Sequence, residues 1–468
     1  MIRMETSETR HTEGPQGTAP LASPVPPAAP PVPPAQDAPR PEGGSEGRLS
    51  PQKHIAVVTM GVKLCNEQRG YTRFRKIAEL LVDAGYRVDL ITSSFQHWDK
   101  AQRNTADPCY YALPYRVIFI EEPGYAKNLD LARIRSHAKA AKNLRTLLAT
   151  TAGPYDLIYA EIPPNDVARV CAEFASENGI PFIADINDLW PEAMRMVLNV
   201  PLVSTLAFWP FARDAKAVYR LLSGAVGTSD EYAARPAADR KEPYLHETVY
   251  VGNDLAAFDA GAKERQGEAE KGESEFWVTY AGTLGASYDL KTLIEAAALL
   301  NKKAASEGGL PAVRVKLLGD GPDREALEAT AKSLDAPVDF LGYRDYDYMA
   351  AFLCASDVLV NSLKKDAAQS IVTKIGDYLA SGKPMINTGS SKEFRAKVDR
   401  DGFGVNVEAG DPEALAEAIA GLYRNDGQRQ AMGEKGRKVA EAEFDQQHSY
   451  QKIVDLIRRL TEEPAHAR

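Results

Sequence analysis

Residues 370–384, SIVTKIGDYLASGKP, hold the densest chemistry in the chain. At helical spacing, Ile371, Ile375, Tyr378 and Leu379 share one face, and Ser370, Lys374, Asp377 and Ser381 share the other. Ser370 is a helix-capping residue type and Gly382 a stop signal. A helix opening at Ser370 offers free backbone N–H groups, a positive dipole end and a lysine in its first turn, which together suit a phosphate. Asp377, one turn further in, is spaced to accept hydrogen bonds from sugar hydroxyls. The same pattern describes an ordinary amphipathic helix with a solvated polar face. The rest of the chain has to decide between the two.

Other segments carry chemistry of the same kind. An apolar run at 276–281 enters Gly282-Thr283-Leu284-Gly285 just before a helical pattern, and paired glycines there can admit a diphosphate against backbone N–H groups. The segment Asp185-Ile186-Asn187-Asp188-Leu189-Trp190-Pro191-Glu192 ends a buried strand. Polar residues at a strand's carboxyl end are site candidates, so Asp188 and Glu192 are expected to bind an acceptor hydroxyl or assist proton transfer. The competing role for Asp188 is to cap a helix starting near Pro191. The turn after the first strand holds Gly61, Arg69, Gly70 and Arg73 and does not match a dinucleotide fingerprint. Its glycines let a ligand approach the backbone, or simply make the turn, and Gly70 and Arg73 are candidates for the acceptor side. Asp345-Tyr346-Asp347 has the spacing of a metal-binding carboxylate pair, but hard cations need more oxygens than two side chains supply, and helix capping is the simpler role. No metal and no cofactor is expected.

These segments need elements to position them. His54–Met60, Arg87–Thr92, Asp156–Ala160 and Ile180–Ile186 read as strands separated by helical patterns, one of them Thr72–Ala84. A second series runs through strands at Phe276–Ala281, Val313–Leu318, Val338–Leu341 and Val358–Asn361. Strands alternating with helices imply an α/β architecture of two doubly wound parallel sheets facing across a cleft. The expected domains are 51–250, which would bind the acceptor, and 251–445, which would bind the donor. Residues 446–468 are expected to form a helix returning to the first domain. Residues 261–275 are polar and read as a linker or surface excursion. Residues 1–50 are rich in Pro, Ala, Gly, Ser and Glu and are expected to be a disordered leader. In 205–222, Phe211, Ala215, Val218 and Leu222 share a face, while Phe208, Trp209, Arg213, Lys216 and Arg220 would suit a membrane surface. Packing on its own domain is the ordinary alternative.

Bulk properties exclude some classes. A formal charge of −9 argues against a general nucleic-acid partner. Cys65, Cys109, Cys171 and Cys354 show no metal-ligand spacing, and a reduced cytoplasmic protein is the simplest account. There is no apolar run of transmembrane length and no signal-peptide core.

The order of motifs is familiar. YAGTLGASYDLKTLIEAA, VKLLGDGPDREALE, VDFLGYRDYDYMAAFLCASDVLVNS, KIGDYLASGKPMINTG and VEAGDPEALAEAIAGLYRN together resemble the donor domain of retaining GT-B glycosyltransferases of family 4. The upstream DINDLWPEA is similar to the DLWPE segment of a branch that builds bacterial surface polysaccharides. The resemblance spans about residues 53–460. It implies a nucleotide-sugar donor, of the UDP class, and a saccharide or lipid-linked saccharide acceptor. It places Gly282 and Thr283 against the diphosphate, which Lys374 neutralises. Gly342 and Tyr343 lie beside the base, Asp377 at the ribose, and Gln369 and Ser370 near the donor sugar. Asp188 falls where many relatives carry a catalytic-site histidine. The family's paired glutamates are replaced here by Gln369 and Asp377, and its basic pair after the GTL-like turn by Ser287, Tyr288 and Asp289. A catalytically silent nucleotide-sugar or partner binder is the alternative that these departures motivate, and a nucleotide-sugar epimerase is a third reading of the same architecture.

Overall fold

The computed structural model describes residues 52–127, 130–150, 154–195, 201–307, 312–367 and 371–462. The leader at 1–50 and the candidates Gln369 and Ser370 lie outside the described residues. Residues 51–468 form one compact unit.

Within that unit the described residues form two parallel sheets and one short antiparallel pair, Phe95–Gln96 with Ala101–Gln102. In chain order the strands are β1 (His54–Val58), β2 (Arg87–Ser93), β3 (Phe95–Gln96), β4 (Ala101–Gln102), β5 (Arg116–Ile120), β6 (Leu157–Ile162), β7 (Phe182–Ile186), β8 (Gly224–Gly227) and β9 (Leu245–Thr248). They continue with β10 (Glu275–Ala281), β11 (Ala312–Leu318), β12 (Val338–Gly342), β13 (Val358–Asn361), β14 (Met385–Asn387) and β15 (Gly404–Asn406). The N-terminal sheet runs β5-β2-β1-β6-β7-β8-β9, and the C-terminal sheet runs β12-β11-β10-β13-β14-β15. Both orders change direction around a central strand (β1 and β10), which opens a crevice at the carboxyl ends of the strands. This is a GT-B fold.

Alternation along buried strands assigns each side chain to a layer. Ala56 and Val58 of β1 face the cluster that includes Ala140, Leu144 and Ala168 from helices 131–150 and 165–177. Ile55 and Val57 face the opposite cluster, with Phe74, Ile77 and Leu81 from helix Arg73–Asp83. Helix Gln451–Glu462 packs into that same N-terminal cluster through Ile453, Val454, Leu456, Ile457 and Leu460. Each such buried side chain contributes roughly 1.5–3 kcal/mol of transfer free energy.

The return is zipped to the outgoing chain. Asn253 N donates to Phe444 O (2.9 Å), Gln446 N to Asn253 O (2.9 Å), and Tyr450 Oη to Val251 O (2.5 Å). A second tie joins the lobes, where Glu393 accepts from Asp230 N (2.9 Å) and Glu231 N (3.0 Å).

Four expectations need correction. The helix read from Ser370 begins only at Ile375 and ends at Ala380, with Lys374 as its N-cap residue. The polar stretch 261–275 is entered by helix Leu255–Glu264, because Gly261 lets that helix sit against Asp347. Cys65 and Cys109, 44 residues apart, form a disulfide, so the chain does not hold four free thiols. Arg73 is not at a surface for an acceptor. It is fully buried and pairs with Asp185 through Nε (2.8 Å) and Nη2 (3.1 Å), with Nη1 donating to Val249 O.

Candidate active site

Strands β10 and β11 are each followed by a glycine with positive φ, Gly282 (148°) and Gly319 (130°), and β12 ends in one, Gly342 (70°). Backbone replaces side chains there. A Cβ on Gly319 would lie 1.9 Å from Gly282 O, and one on Gly282 would lie 2.7 Å from Lys374 Nζ. Only glycine fits this floor. Tyr280, two residues before Gly282, turns its ring toward the amine, and Tyr288 closes the other side. Lys374 Nζ is 3.8 Å from the Tyr280 ring centre and 4.1 Å from that of Tyr288. The amine is buried and makes no hydrogen bond among the described residues. Burial pushes its pKa well below the usual lysine range. Because helix Ile375–Ala380 has only six residues, the charge at this point is that of the lysine itself, with little help from a dipole.

Asp377 follows on the same turn. Its Oδ1 accepts from Asn253 Nδ2 (2.9 Å) and Tyr346 Oη (2.7 Å), and burial raises its pKa to about 6. Those bonds leave Oδ2 for a further donor. Gly342 O accepts from Gly319 N (2.8 Å), and the Tyr343 ring beside it is exposed. Thr283 is exposed at the mouth of the floor, and its carbonyl accepts from Tyr280 Oη (2.8 Å).

A cavity of about 580 Å³ lies between the lobes. The C-terminal lobe lines it with Ser287, Tyr288, Ile371, Val372 and Thr373, adjoining Lys374. Of the N-terminal candidates, Asp188 lines it. Its Oδ1 accepts from Leu189 N (2.8 Å) and its Oδ2 from Trp190 Nε1 (3.0 Å), so the carboxylate fixes the indole that borders the cavity. Burial raises the Asp188 pKa. Glu192 instead pairs with Arg235 at 2.7 Å. Gly70, at φ 129°, lets Trp98 pack on the turn after β1, since a Cβ there would be 3.0 Å from the indole.

Sequence reasoning missed most of the N-terminal wall: Tyr71, His97, Trp98, Tyr125, His137 and Glu161. Only Glu161 carried a signal, as an acid at the end of a strand otherwise apolar. Burial pushes the His97 and His137 rings down to about 4 and about 3, with nearby Arg133 acting in the same direction, so both are neutral at pH 7. Asp345 Oδ1 accepts from Tyr348 N (2.9 Å) and caps helix 346–355. Among the described residues no group of three His, Cys, Asp or Glu is arranged to hold a metal ion.

Residues 275–425 match the family described as Glycosyl transferases group 1. EpsD of Bacillus subtilis, a protein named as a glycosyltransferase, is 23% identical over 309 residues, covering 64% of this chain and 76% of EpsD. The lipopolysaccharide core biosynthesis glycosyltransferase LpsE of Rhizobium meliloti is 31% identical over 172 residues, covering 36% of this chain and 44% of LpsE. Among solved structures, HepE of Anabaena in complex with UDP superposes with a TM-score of 0.60 at 16% identity, over 87% of this chain and 99% of HepE. By fold the chain is a GT-B protein, and its C-terminal lobe carries the sequence pattern of group 1 glycosyl transferases.

Proposed function

We propose that the protein is a retaining glycosyltransferase that moves a sugar from a UDP-sugar to a saccharide or lipid-linked saccharide acceptor in surface polysaccharide synthesis. The observation that carries this reading is the buried Lys374 amine, without a hydrogen-bond partner among the described residues, beside the glycine floor at Gly282. A cation without a counter-charge in such a place is destabilised, and a diphosphate entering over Gly282 and Thr283 would relieve it. The names of LpsE and of the UDP-bound HepE structure support the substrate class and the nucleotide.

In the reaction the bond from the sugar's anomeric carbon to the diphosphate breaks, and its electron pair leaves with the phosphate. The acceptor oxygen attacks from the same face, and its proton passes to the departing phosphate oxygen. Lys374 stabilises the charge that develops there without a metal ion. Asp377 Oδ2 holds a ribose hydroxyl, and closure of the lobes excludes water. Asp188 fixes Trp190 at the acceptor side.

Membrane contact belongs to the same proposal. Helix Pro201–Leu221 buries Ala215 and Val218 but exposes Leu206 and Trp209, with Arg213, Lys216 and Arg220 on its polar side. Among the described residues no helix is long and apolar enough to cross a membrane.

The test is thermal stabilisation of the full chain by UDP-, GDP- and dTDP-sugars, beside Lys374→Ala. A shift with UDP-sugars alone, lost in the variant, supports the reading. No shift with any nucleotide overturns it.

A further inference from the structure

The N-terminal wall of the cavity holds a carboxylate that the reading above leaves without a role. Glu161 stands near the carboxyl end of β6, beside the turn that follows β1. Its Oε2 accepts from Thr59 Oγ1 (2.7 Å) and from Met60 N (3.0 Å). Both partners are uncharged, and neither uses Oε1. That oxygen lies next to Gly61 and the tip of Trp98. A Cβ on Gly61 would be 3.5 Å from Glu161 Oε1 and 3.4 Å from Trp98 Cη2. Gly61 thus keeps open a gap bordered by an indole on one side and a carboxylate oxygen on the other. Tyr71 meets Trp98 edge to face at 5.1 Å, and its ring is half exposed to the cavity.

This corner connects to the donor lobe. Tyr71, Glu161 and Asp188 line the same cavity as Tyr288 of the other lobe. Tyr288 is the ring that covers the Lys374 amine on the opposite lobe. A molecule held between Glu161 and Trp98 therefore faces the donor site across Tyr71 and Tyr288.

The chemistry of the corner selects its occupant. An indole and a phenol ring offer flat apolar faces to the C–H surface of a sugar ring. A carboxylate oxygen with spare lone pairs accepts from a hydroxyl in the ring plane. Glu161 and Asp188 both line this wall and disfavour a second anion beside them. We propose that Trp98, Tyr71 and Glu161 form the subsite for a neutral pyranose of the acceptor, with Glu161 Oε1 binding one of its hydroxyls. The proposal rests on the glycosyltransferase reading and adds to it the acceptor's ring chemistry.

The experiment uses the full chain saturated with UDP. Tryptophan fluorescence is followed while methyl α- and β-glycosides of glucose, galactose, mannose and N-acetylglucosamine are added, with methyl glucuronide as the anionic comparison. At least one neutral glycoside should give a saturable change. At pH 8, where the Glu161 carboxyl is ionised, Trp98→Phe should abolish that change, and Glu161→Gln should weaken binding about tenfold or more, as loss of a charge-assisted hydrogen bond does. The glucuronide should bind more weakly than its neutral counterpart. The melting-temperature shift produced by UDP should persist in both variants, which shows that they fold and keep the donor lobe. A UDP shift without any neutral-glycoside response overturns this subsite alone, as does a response unchanged in Glu161→Gln. No UDP shift in the parent protein overturns the donor reading and this inference with it.

Discussion

Lys374 Nζ lies 3.8 Å from the centre of the Tyr280 ring, buried and without a hydrogen bond among the described residues. A buried unpaired polar group costs about 1–3 kcal/mol, and contact with aromatic faces offsets part of that. On the proposed reading, a diphosphate beside the amine would offset the rest of that cost. Lys374→Met should raise the unliganded protein's stability by about 1 kcal/mol and remove its stabilisation by UDP. Denaturant unfolding with and without UDP checks both, and a variant that loses stability while still binding UDP would contradict the assignment.

Glu161 makes stability depend on pH. Burial raises its pKa from 4.5 to about 7, with Asp185 adding to the rise against bonds from Thr59 and Met60. Between those two values the folded state binds more protons than the unfolded one, so stability falls as pH rises through the window. The cost above pH 7 is on the order of 2–3 kcal/mol. Glu161→Gln should therefore gain stability relative to the parent at pH 8 and not at pH 4. Equal differences at both pH values would show that the carboxyl is not perturbed.

The Arg73–Asp185 pair is a matter of folding. Both side chains are essentially sealed from solvent, and removing one partner leaves a buried charge. Arg73→Ala should cost about 3–5 kcal/mol, read as a lowered urea midpoint. A folded variant of parental stability with weakened acceptor binding would restore Arg73 to the acceptor site.

Glu393 reaches from one lobe to cap Asp230 N and Glu231 N on the other. Glu393→Ala should speed hydrogen exchange at those two amides about tenfold, the equivalent of about 1.4 kcal/mol. Exchange as slow as in the parent would mean that the contact does not form in solution.

Eight strands were legible in the chain, because apolar runs report burial directly, but Arg116–Ile120, Gly224–Gly227, Leu245–Thr248, Met385–Asn387 and Gly404–Asn406 were not, since runs that short carry little periodicity. The final turn of helix 375–380 also matched its stop at Gly382, a residue that takes φ 66°. The start of that helix did not match. Ile371, Ile375, Tyr378 and Leu379 have helical spacing from residue 371, but the backbone enters the helix only after Lys374, and periodicity carries no information on where a turn tightens. The disulfide was equally hidden, since a 44-residue separation says nothing about proximity.

The C-terminal candidates were readable as a group because they lie close together along the chain. Glycines must follow strands, and Lys374 and Asp377 share one turn. The N-terminal wall is assembled from seven separate segments: the turn after β1, β3 and the residues just beyond it, the loop after β5, helix 131–150, the ends of β6 and β7, and the turn after β8. By itself the sequence determined the two sheets, the glycine floor and the lysine that faces it. Tertiary structure alone decided that Arg73 would neutralise Asp185, that Glu192 would pair with Arg235, and that Glu161 would stand open beside Trp98. The physical reason is that a charge's role depends on which counter-charge folding brings within reach, and no spacing along the chain encodes that partner.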